Sequence, residues 1–253
     1  MTSPRSTAWW QRARQEFGSR LPMPITHVVP VEHVETPAVI VRRRRVVAGV
    51  CLLGTGLLGL SLSTRPGSKE FYGLTAAVAT TWTAGGLLSG PLHLGWIQTR
   101  DQRLRRPIST PAATGFGAFT FFYGCALVAR NIPVLDRAID NVLAFTEEGS
   151  TPMILATTLA NGLGEEVFFR GALYAALDAD RAVVVSTAVY TLATASTRNP
   201  ALVLAAGVMG TLFSLQRRAS GGLQAPALTH LTWSTLMVCF LPPLFRRAHR
   251  VKS

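Results

Sequence analysis

Charge is scarce in this sequence, and acidic residues are scarcer than basic ones. Of 253 residues, 15% are charged and 48% are apolar, and 13 Asp and Glu stand against 25 Lys and Arg, for a formal net charge of +12. So little charge on so apolar a background excludes a disordered chain and most soluble enzymes. The basic excess raises nucleic acid as a partner, and the positions of the charges decide that question.

Cysteine is nearly absent too, and no segment resembles a secretion signal. Cys51, Cys125 and Cys239 lie in apolar runs without a paired spacing, which excludes a zinc motif or a disulfide framework and predicts buried small side chains. Residues 1–45 are polar and contain no apolar core with a cleavage site, so the first apolar segment is expected to act as its own insertion signal.

Long uncharged runs are what the sequence has in abundance. About 20 apolar residues cross a bilayer as a helix, and small residues within such runs let helices approach closely. We therefore predict an all-α fold, a polytopic transmembrane helical bundle of about seven spans, whose short fifth and sixth segments are a tightly joined pair or partly buried in protein. The segments are 46–62, 71–97, 111–129, 152–177, 182–195, 200–215 and 225–245.

The basic residues cluster beside these segments. Arginines fill positions 42–45, the loop at 100–106 is basic, and the loop after the third segment is acidic. The positive-inside rule then predicts a multi-pass protein of the cell membrane with a cytoplasmic N-terminus. Clusters separated by spans form no continuous basic face, so we expect the lipid bilayer as a partner and no nucleic acid. The basic tail 246–252 would emerge outside after seven crossings, so either one segment does not cross or the tail is retained against the rule.

Two weaker patterns lie in the N-terminal arm. Aromatic residues interleaved with arginines at 9–20 fit either an amphipathic helix at the membrane interface or a mobile cytoplasmic arm. His27, Glu32, His33 and Glu35 lie close together in the sequence, but the surrounding prolines imply an extended segment without fixed geometry. We therefore predict no metal site there.

Two adjacent glutamates, Glu165 and Glu166, stand inside the fourth apolar segment, in the run ATTLANGLGEEVFFRGALYAAL. An ionised group at the centre of a transmembrane helix costs about 2.5–3.5 kcal/mol, so both must face protein or trapped water. Arg170 follows Glu166 by four residues, the spacing of an ion pair on one helical face. A structural ion pair explains that couple, but it leaves Glu165 unexplained, and an unpaired carboxylate in a membrane favours a functional site.

The run EEVFFRG at 165–171 resembles the E-E-x-x-x-R motif of the CAAX-protease and bacteriocin-processing (CPBP, or Abi) family of intramembrane endopeptidases, which includes the type II CAAX prenyl endopeptidases. That family continues with an aromatic-x-x-x-His motif, where this sequence has Tyr190 and Thr194. It ends with His-x-x-x-Asn or Asp, where this sequence has His230 and Ser234. The three motifs cover roughly residues 161–234.

The resemblance implies a peptidase in which a glutamate activates a water molecule that attacks an amide carbonyl. The resemblance implies four catalytic residues: Glu165 is the general base, and Glu166 and Arg170 are a pair that positions it. His230 stabilises the oxyanion or transfers a proton. Residues expected to contact the oxyanion or the substrate are Tyr190, Thr194 and Ser234. A membrane-associated protein or peptide is the expected substrate. No cofactor is expected and no metal, because a catalytic zinc usually has three protein ligands and these motifs contain one histidine.

The resemblance also implies a division of the chain and an alternative function. Residues 1–45 are expected to be a cytoplasmic arm, 46–149 the first three spans with their loops, 150–245 the CPBP-like catalytic core helices and 246–253 a basic tail. Thr194 and Ser234 depart from the family pattern, because threonine cannot act as a base and serine lacks the reach of an amide. The alternative is a catalytically degenerate membrane scaffold or immunity protein. A proton-coupled transporter using His93 and His230 lacks visible inverted repeats.

Overall fold

The computed structural model describes residue 29 and residues 35–98, 103–148 and 150–245. The patterns at 9–20, the group His27, Glu32 and His33, and the tail at 246–252 lie outside the described residues. The helices are α1 (Pro37–Ser61), α2 (Lys69–Ser89), α3 (Ser109–Ala129), α4 (Pro133–Glu147), α5 (Thr151–Glu165), a π-helical segment (Glu166–Leu173), α6 (Tyr174–Ala176), α7 (Ala179–Ala195), α8 (Pro200–Ser220) and α9 (Gln224–Phe240). Between α2 and α3, β1 (Ile97–Gln98) pairs antiparallel with β2 (Leu104–Arg105).

Local sequence explains where several helices begin and end. The Ser68 hydroxyl accepts a hydrogen bond from the backbone N–H of Phe71 and caps α2, whereas Gly90, at φ 146°, ends it. The Asn199 side chain accepts from the first free N–H groups of α8, and Pro200 occupies the first helical position. Gly221 ends α8 in the left-handed conformation.

The all-α prediction is confirmed, but several predicted boundaries are wrong. The first helix begins at Pro37, so the arginines at 42–45 lie within α1 rather than before it. The second ends at Ser89 and not at residue 97, where the hairpin begins. The sixth apolar segment was predicted to end at residue 215, but its helix continues to Ser220. Hydropathy marks only the apolar part of a helix, so charged turns that continue it are missed.

A further difference is α4, which the sequence analysis treated as an acidic loop. Its apolar residues recur with helical spacing between charged ones, and Ala138 and Leu143 are buried. Charged residues interrupt the apolar positions of α4, so a search for long apolar runs does not find this helix. The helical period of its apolar residues was the available signal.

Hydrogen bonds between loops define two ends of the bundle. At the end where α1 begins, the arginine end, the backbone N–H groups of Leu223 and Gln224 donate to the carbonyls of His93 and Leu94. At the opposite end, the α4 end, the Asn199 amide donates to the Ala138 carbonyl over 2.7 Å. α3 and α9 run parallel, since both begin at the arginine end, and α9 therefore ends at the α4 end.

The outer surface of the bundle suits a bilayer. Leu52, Val184 and Leu192 expose 79%, 71% and 71% of their surface. Among the described residues, four helices are long and apolar enough to cross a membrane: Pro37–Ser61, Ser109–Ala129, Pro200–Ser220 and Gln224–Phe245. This is fewer than the seven spans predicted. Cys125 and Cys239 are exposed on the bundle surface, so the prediction that they are buried is wrong, while Cys51 is partly buried.

The centre of the bundle is an aromatic core around Trp82 of α2. Its fully buried ring lies 4.7 Å from the ring of Phe168 and 5.0 Å from that of Phe169, measured between centroids. Gly164 lets α5 approach α2 at this level, since a Cβ there would lie 2.9 Å from the Ala79 carbonyl oxygen. This packing fixes the height and rotation of the glutamate pair that follows Gly164.

Candidate active site

The helix that carries the two glutamates changes its hydrogen-bonding pattern at the site. From Glu166 to Leu173 it is π-helical, and every residue of this segment is buried. Side chains of neighbouring helices bind its carbonyls: Ser186 donates to Phe169 O over 3.1 Å, and Arg217 Nε donates to Arg170 O over 2.7 Å. Such π segments are rare and occur frequently at functional sites.

Glu166 is the centre of a buried charged cluster. Its Oε1 accepts a hydrogen bond from Arg170 Nη1 over 3.1 Å and lies 2.9 Å from His230 Nδ1. The side chains of Glu166 and Arg170 are completely buried, and that of His230 is 7% exposed. The structure thus joins the predicted i,i+4 pair to α9, about sixty residues further along the chain.

Arg170 is surrounded by aromatic rings. Its guanidinium carbon lies 4.5 Å from the ring centroid of Tyr190 and 5.0 Å from that of Phe213, and its Nη2 donates to the Gly210 carbonyl over 3.2 Å. Cation–π contacts and a carbonyl acceptor stabilise a charge withdrawn from water. Gly210 leaves room for the Tyr190 ring beside this contact, because a Cβ there would lie 3.0 Å from Tyr190 Cδ1.

Glu165 has different surroundings from its neighbour. It is partly buried, lines a cavity of about 290 Å³, and its Oε2 accepts a hydrogen bond from the Tyr190 hydroxyl over 2.7 Å. The two glutamates are thus separated by environment: Glu166 is enclosed by protein, and Glu165 faces an open volume.

His230 presents its two ring nitrogens to different partners. Its Nδ1 lies within hydrogen-bonding distance of Glu166 Oε1, and when that carboxylate is ionised Nδ1 is the donor, because an ionised carboxylate only accepts. The ring stacks on Phe213 at 4.7 Å between centroids, and a Cβ on Gly162 would lie 3.5 Å from Nε2. Phe213 and Glu166 therefore hold the ring with Nε2 directed toward the Gly162 face of α5.

The structure brings most of the predicted residues to one cavity. Its wall includes Glu165, Tyr190, Thr194, His230 and Ser234. Glu166 and Arg170 lie behind this wall, in contact with His230 and Tyr190. The Thr194 hydroxyl donates to the Tyr190 carbonyl of its own helix over 2.9 Å, so its hydrogen is not directed at the cavity.

Other candidates fall elsewhere or were missed. His93 lies at the arginine end, where its carbonyl accepts from Leu223 N, and Glu35 pairs with Arg43. In the part of the chain that the structure describes, no three His, Cys, Asp or Glu side chains group as metal ligands. Sequence reasoning missed Ser186 and Arg217. An arginine at the edge of an apolar segment has the appearance of a loop residue, and nothing in the sequence marks its contact with the Arg170 carbonyl.

Comparison with known proteins agrees with this geometry. Residues 147–236 match the family model described as type II CAAX prenyl endopeptidase Rce1-like. No curated protein and no solved structure matches the chain. The matched residues include both glutamates, Arg170, Tyr190 and His230, all of which meet at or behind the cavity wall. Over this segment the chain is similar to the type II CAAX prenyl endopeptidases, a family of proteases.

Proposed function

We propose that this protein is an intramembrane endopeptidase in which Glu165 activates a water molecule to hydrolyse a peptide bond. The observation that carries the proposal is the unequal environment of the two glutamates. Glu166 is bound by Arg170 and His230, whereas Glu165 faces a cavity and receives one hydrogen bond from Tyr190. A structural ion pair requires only Glu166, so Glu165 is available to bind water.

The proposed reaction needs no redox partner. Glu165 takes a proton from water, and the water oxygen forms a bond to the carbonyl carbon of the substrate. The charge that develops on the carbonyl oxygen is stabilised by a donor at the cavity wall, for which His230 Nε2, when protonated, and the Ser234 hydroxyl are the candidates. The carbon–nitrogen bond then breaks, and the leaving amine receives the proton held by Glu165.

The remaining residues act by position. Glu166 fixes the orientation of the His230 ring through Nδ1, and Arg170 balances the charge of Glu166. Tyr190 orients the Glu165 carboxylate. Thr194 has its hydroxyl hydrogen on the backbone and contributes shape to the cavity rather than a donor. The site offers one histidine paired with a carboxylate. This pair suits acid–base chemistry, whereas a catalytic zinc usually has three protein ligands.

The proposed setting is the cell membrane, with seven crossings by α1, α2, α3, the α5–α6 helix, α7, α8 and α9. The opposite positions of the start of α1 and the end of α9 support an odd number of crossings. The arginines of α1 favour a cytoplasmic arginine end. The substrate is then a membrane-associated protein or peptide that reaches the buried glutamates.

The test replaces Glu165 with Gln, which keeps size and removes the base. Loss of a general base lowers the rate by about 10²–10⁴-fold. Mass-spectrometric profiling of new peptide termini in cells producing wild type, E165Q or no protein should show cleavage products with wild type only. Leu204→Gln, on the exposed surface of α8, is the matched control and should retain all products. A full set of products with E165Q would overturn the proposal and favour the scaffold alternative.

A further inference from the structure

We propose that the substrate enters the cavity from the aqueous phase at the α4 end, as an extended peptide segment, and not sideways from the lipid as a transmembrane helix. The inference rests on the proposed function for the identity of the ligand as a peptide. The route itself follows from the shape and chemistry of the cavity.

The cavity extends from Glu165 in one direction. Beyond the glutamate its wall continues along α5 to Ile154 and reaches Leu62 after α1 and Phe71 in α2, all toward the α4 end. In the opposite direction the space is filled by Phe168, Arg170 and Phe213, which are completely buried. The glutamate therefore lies at the closed bottom of the cavity.

A second, polar depression of about 320 Å³ adjoins the cavity at the α4 end. Polar residues of its wall are Thr64, Asn141, Thr197, Arg198 and Asn199. An arginine and two asparagines are unfavourable against hydrocarbon but suit water, so this depression opens to the aqueous phase. We call it the mouth.

The mouth and the cavity share part of their walls. Both are lined by Leu62, Val142, Phe145, Thr197 and Leu202, which we call the throat. The throat is formed between α4, the α1–α2 loop and the start of α8. It connects the water-exposed mouth to Glu165 through a mainly apolar passage, with α4 as one wall.

The dimensions favour an extended segment. Glu165 lies fourteen residues after the start of α5 at Thr151, about 20 Å at 1.5 Å per residue. A helix with its side chains is about 10 Å across, whereas an extended chain is about 5 Å thick along its backbone hydrogen-bonding direction and needs a narrower passage. An extended peptide covers 20 Å with about six residues.

The lining also indicates which side chains the segment carries near the scissile bond. Among the described residues, Glu165 is the only carboxylate in the cavity wall, and no Lys or Arg lies there. Threonines at 75, 146, 157, 158, 194 and 197 lie between apolar surfaces of the wall. Four of them, at 146, 157, 194 and 197, donate to backbone carbonyls of nearby residues, so their hydroxyl oxygens remain as acceptors. This wall suits an uncharged segment with small or hydroxylated side chains, and without Lys or Arg it offers no permanent cation for a terminal carboxylate, which favours cleavage within a chain.

Cysteine labelling tests the route without using proteolysis as the readout. In full-length protein with Cys51, Cys125 and Cys239 changed to Ala, Ser234→Cys places a thiol at the cavity wall. Reporter thiols replace Arg65 at the α4 end and Asp180 at the arginine end, both exposed. A charged, membrane-impermeant methanethiosulfonate should label Ser234→Cys from the same side as Arg65→Cys and not from the side of Asp180→Cys.

Blocking the throat completes the test. Val142→Trp and, separately, Thr197→Trp should slow labelling of Ser234→Cys by roughly tenfold or more, since thiol modification depends on access. Leu204→Trp, which faces outward, should leave the rate unchanged. The inference would be overturned by labelling from the arginine end or by labelling with lipid-soluble reagents alone. It would also be overturned if neither throat substitution changed the labelling rate. None of these results depends on Glu165, so failure of the route and failure of the peptidase are distinguishable.

Discussion

Among the described residues two arginines are completely buried, Arg43 at the arginine end and Arg170 at the candidate site, and they differ in how fully their polar atoms are paired. Arg43 donates from Nε and Nη2 to Glu35, from Nη1 to Ser89 over 3.0 Å and from Nη2 to the Pro91 carbonyl over 2.8 Å. At the site, Arg170 Nε and Glu166 Oε2 have no partner among the described residues. The first network is closed, while the second keeps polar atoms unpaired next to an open cavity.

The two networks have different roles. A satisfied buried network fixes one packing arrangement, here the join between α1 and the end of α2. A network with unpaired buried polar atoms next to a cavity lowers stability. Proteins keep such unfavourable arrangements mainly at functional sites. We therefore expect substitutions in the Arg43 network to change stability alone, and substitutions around Glu166 to change stability and activity together.

The largest expected effect is that of Glu166→Gln. It leaves Arg170 without a buried counter-charge and releases the His230 ring, so stability should fall by about 3–5 kcal/mol, and cleavage should be lost. Thermal unfolding in detergent, combined with terminal profiling, measures both effects. Glu166→Asp keeps the charge and should recover part of the stability. A Gln variant as stable as wild type would show that the cluster contributes nothing to folding.

Arg43→Ala should come next, with a loss of about 3 kcal/mol in stability because Glu35 loses its partner. Because 16% of the Glu35 side chain is exposed, we expect a loss of stability at the lower limit of the range for breaking a buried ion pair. The cleavage rate per folded molecule should be unchanged. Reduced turnover at full folding would contradict the division between the two networks, and Arg42→Ala, which removes one exposed hydrogen bond, is the control.

Arg217→Ala should have a moderate effect on turnover. It removes the donor to the Arg170 carbonyl within the π segment and lets the glutamates shift, so kcat should fall by roughly tenfold, about 1.4 kcal/mol, with little change in KM. A peptide taken from the profiling experiment serves as substrate. Arg217→Lys retains a donor and should recover part of kcat. Equal losses in kcat for Arg217→Lys and Arg217→Ala would argue against a positioning role for this hydrogen bond.

Thr194→Val should have the smallest effect. The Thr194 hydroxyl hydrogen bonds to its own helix, so an isosteric side chain without a hydroxyl keeps the cavity shape and removes no donor from the substrate. We expect turnover to change by less than about threefold, or 0.7 kcal/mol. A large loss would show that Thr194 rotates to bind the substrate. Ser234→Ala, at the facing wall, is the informative comparison.

Local contacts were predictable and distant contacts were not. The ion pair between Glu166 and Arg170 follows from a spacing of four within one helix. The bond between His230 and Glu166 joins residues far apart in the chain, and no spacing rule gives it. α4 was missed because its charges interrupt an apolar face, although it forms one wall of the throat.

The bundle of apolar helices follows from the amino-acid sequence, because long uncharged runs have few other stable arrangements in lipid. The sequence also singled out the glutamate pair, whose cost in an apolar helix demands compensation. The spacing of four already pairs Glu166 with Arg170, but only the tertiary structure shows that this pair is enclosed and that Glu165 faces a cavity. That difference depends on where Arg217, Gly210, Phe213 and His230 from two other helices lie, and their packing is not encoded in any local pattern.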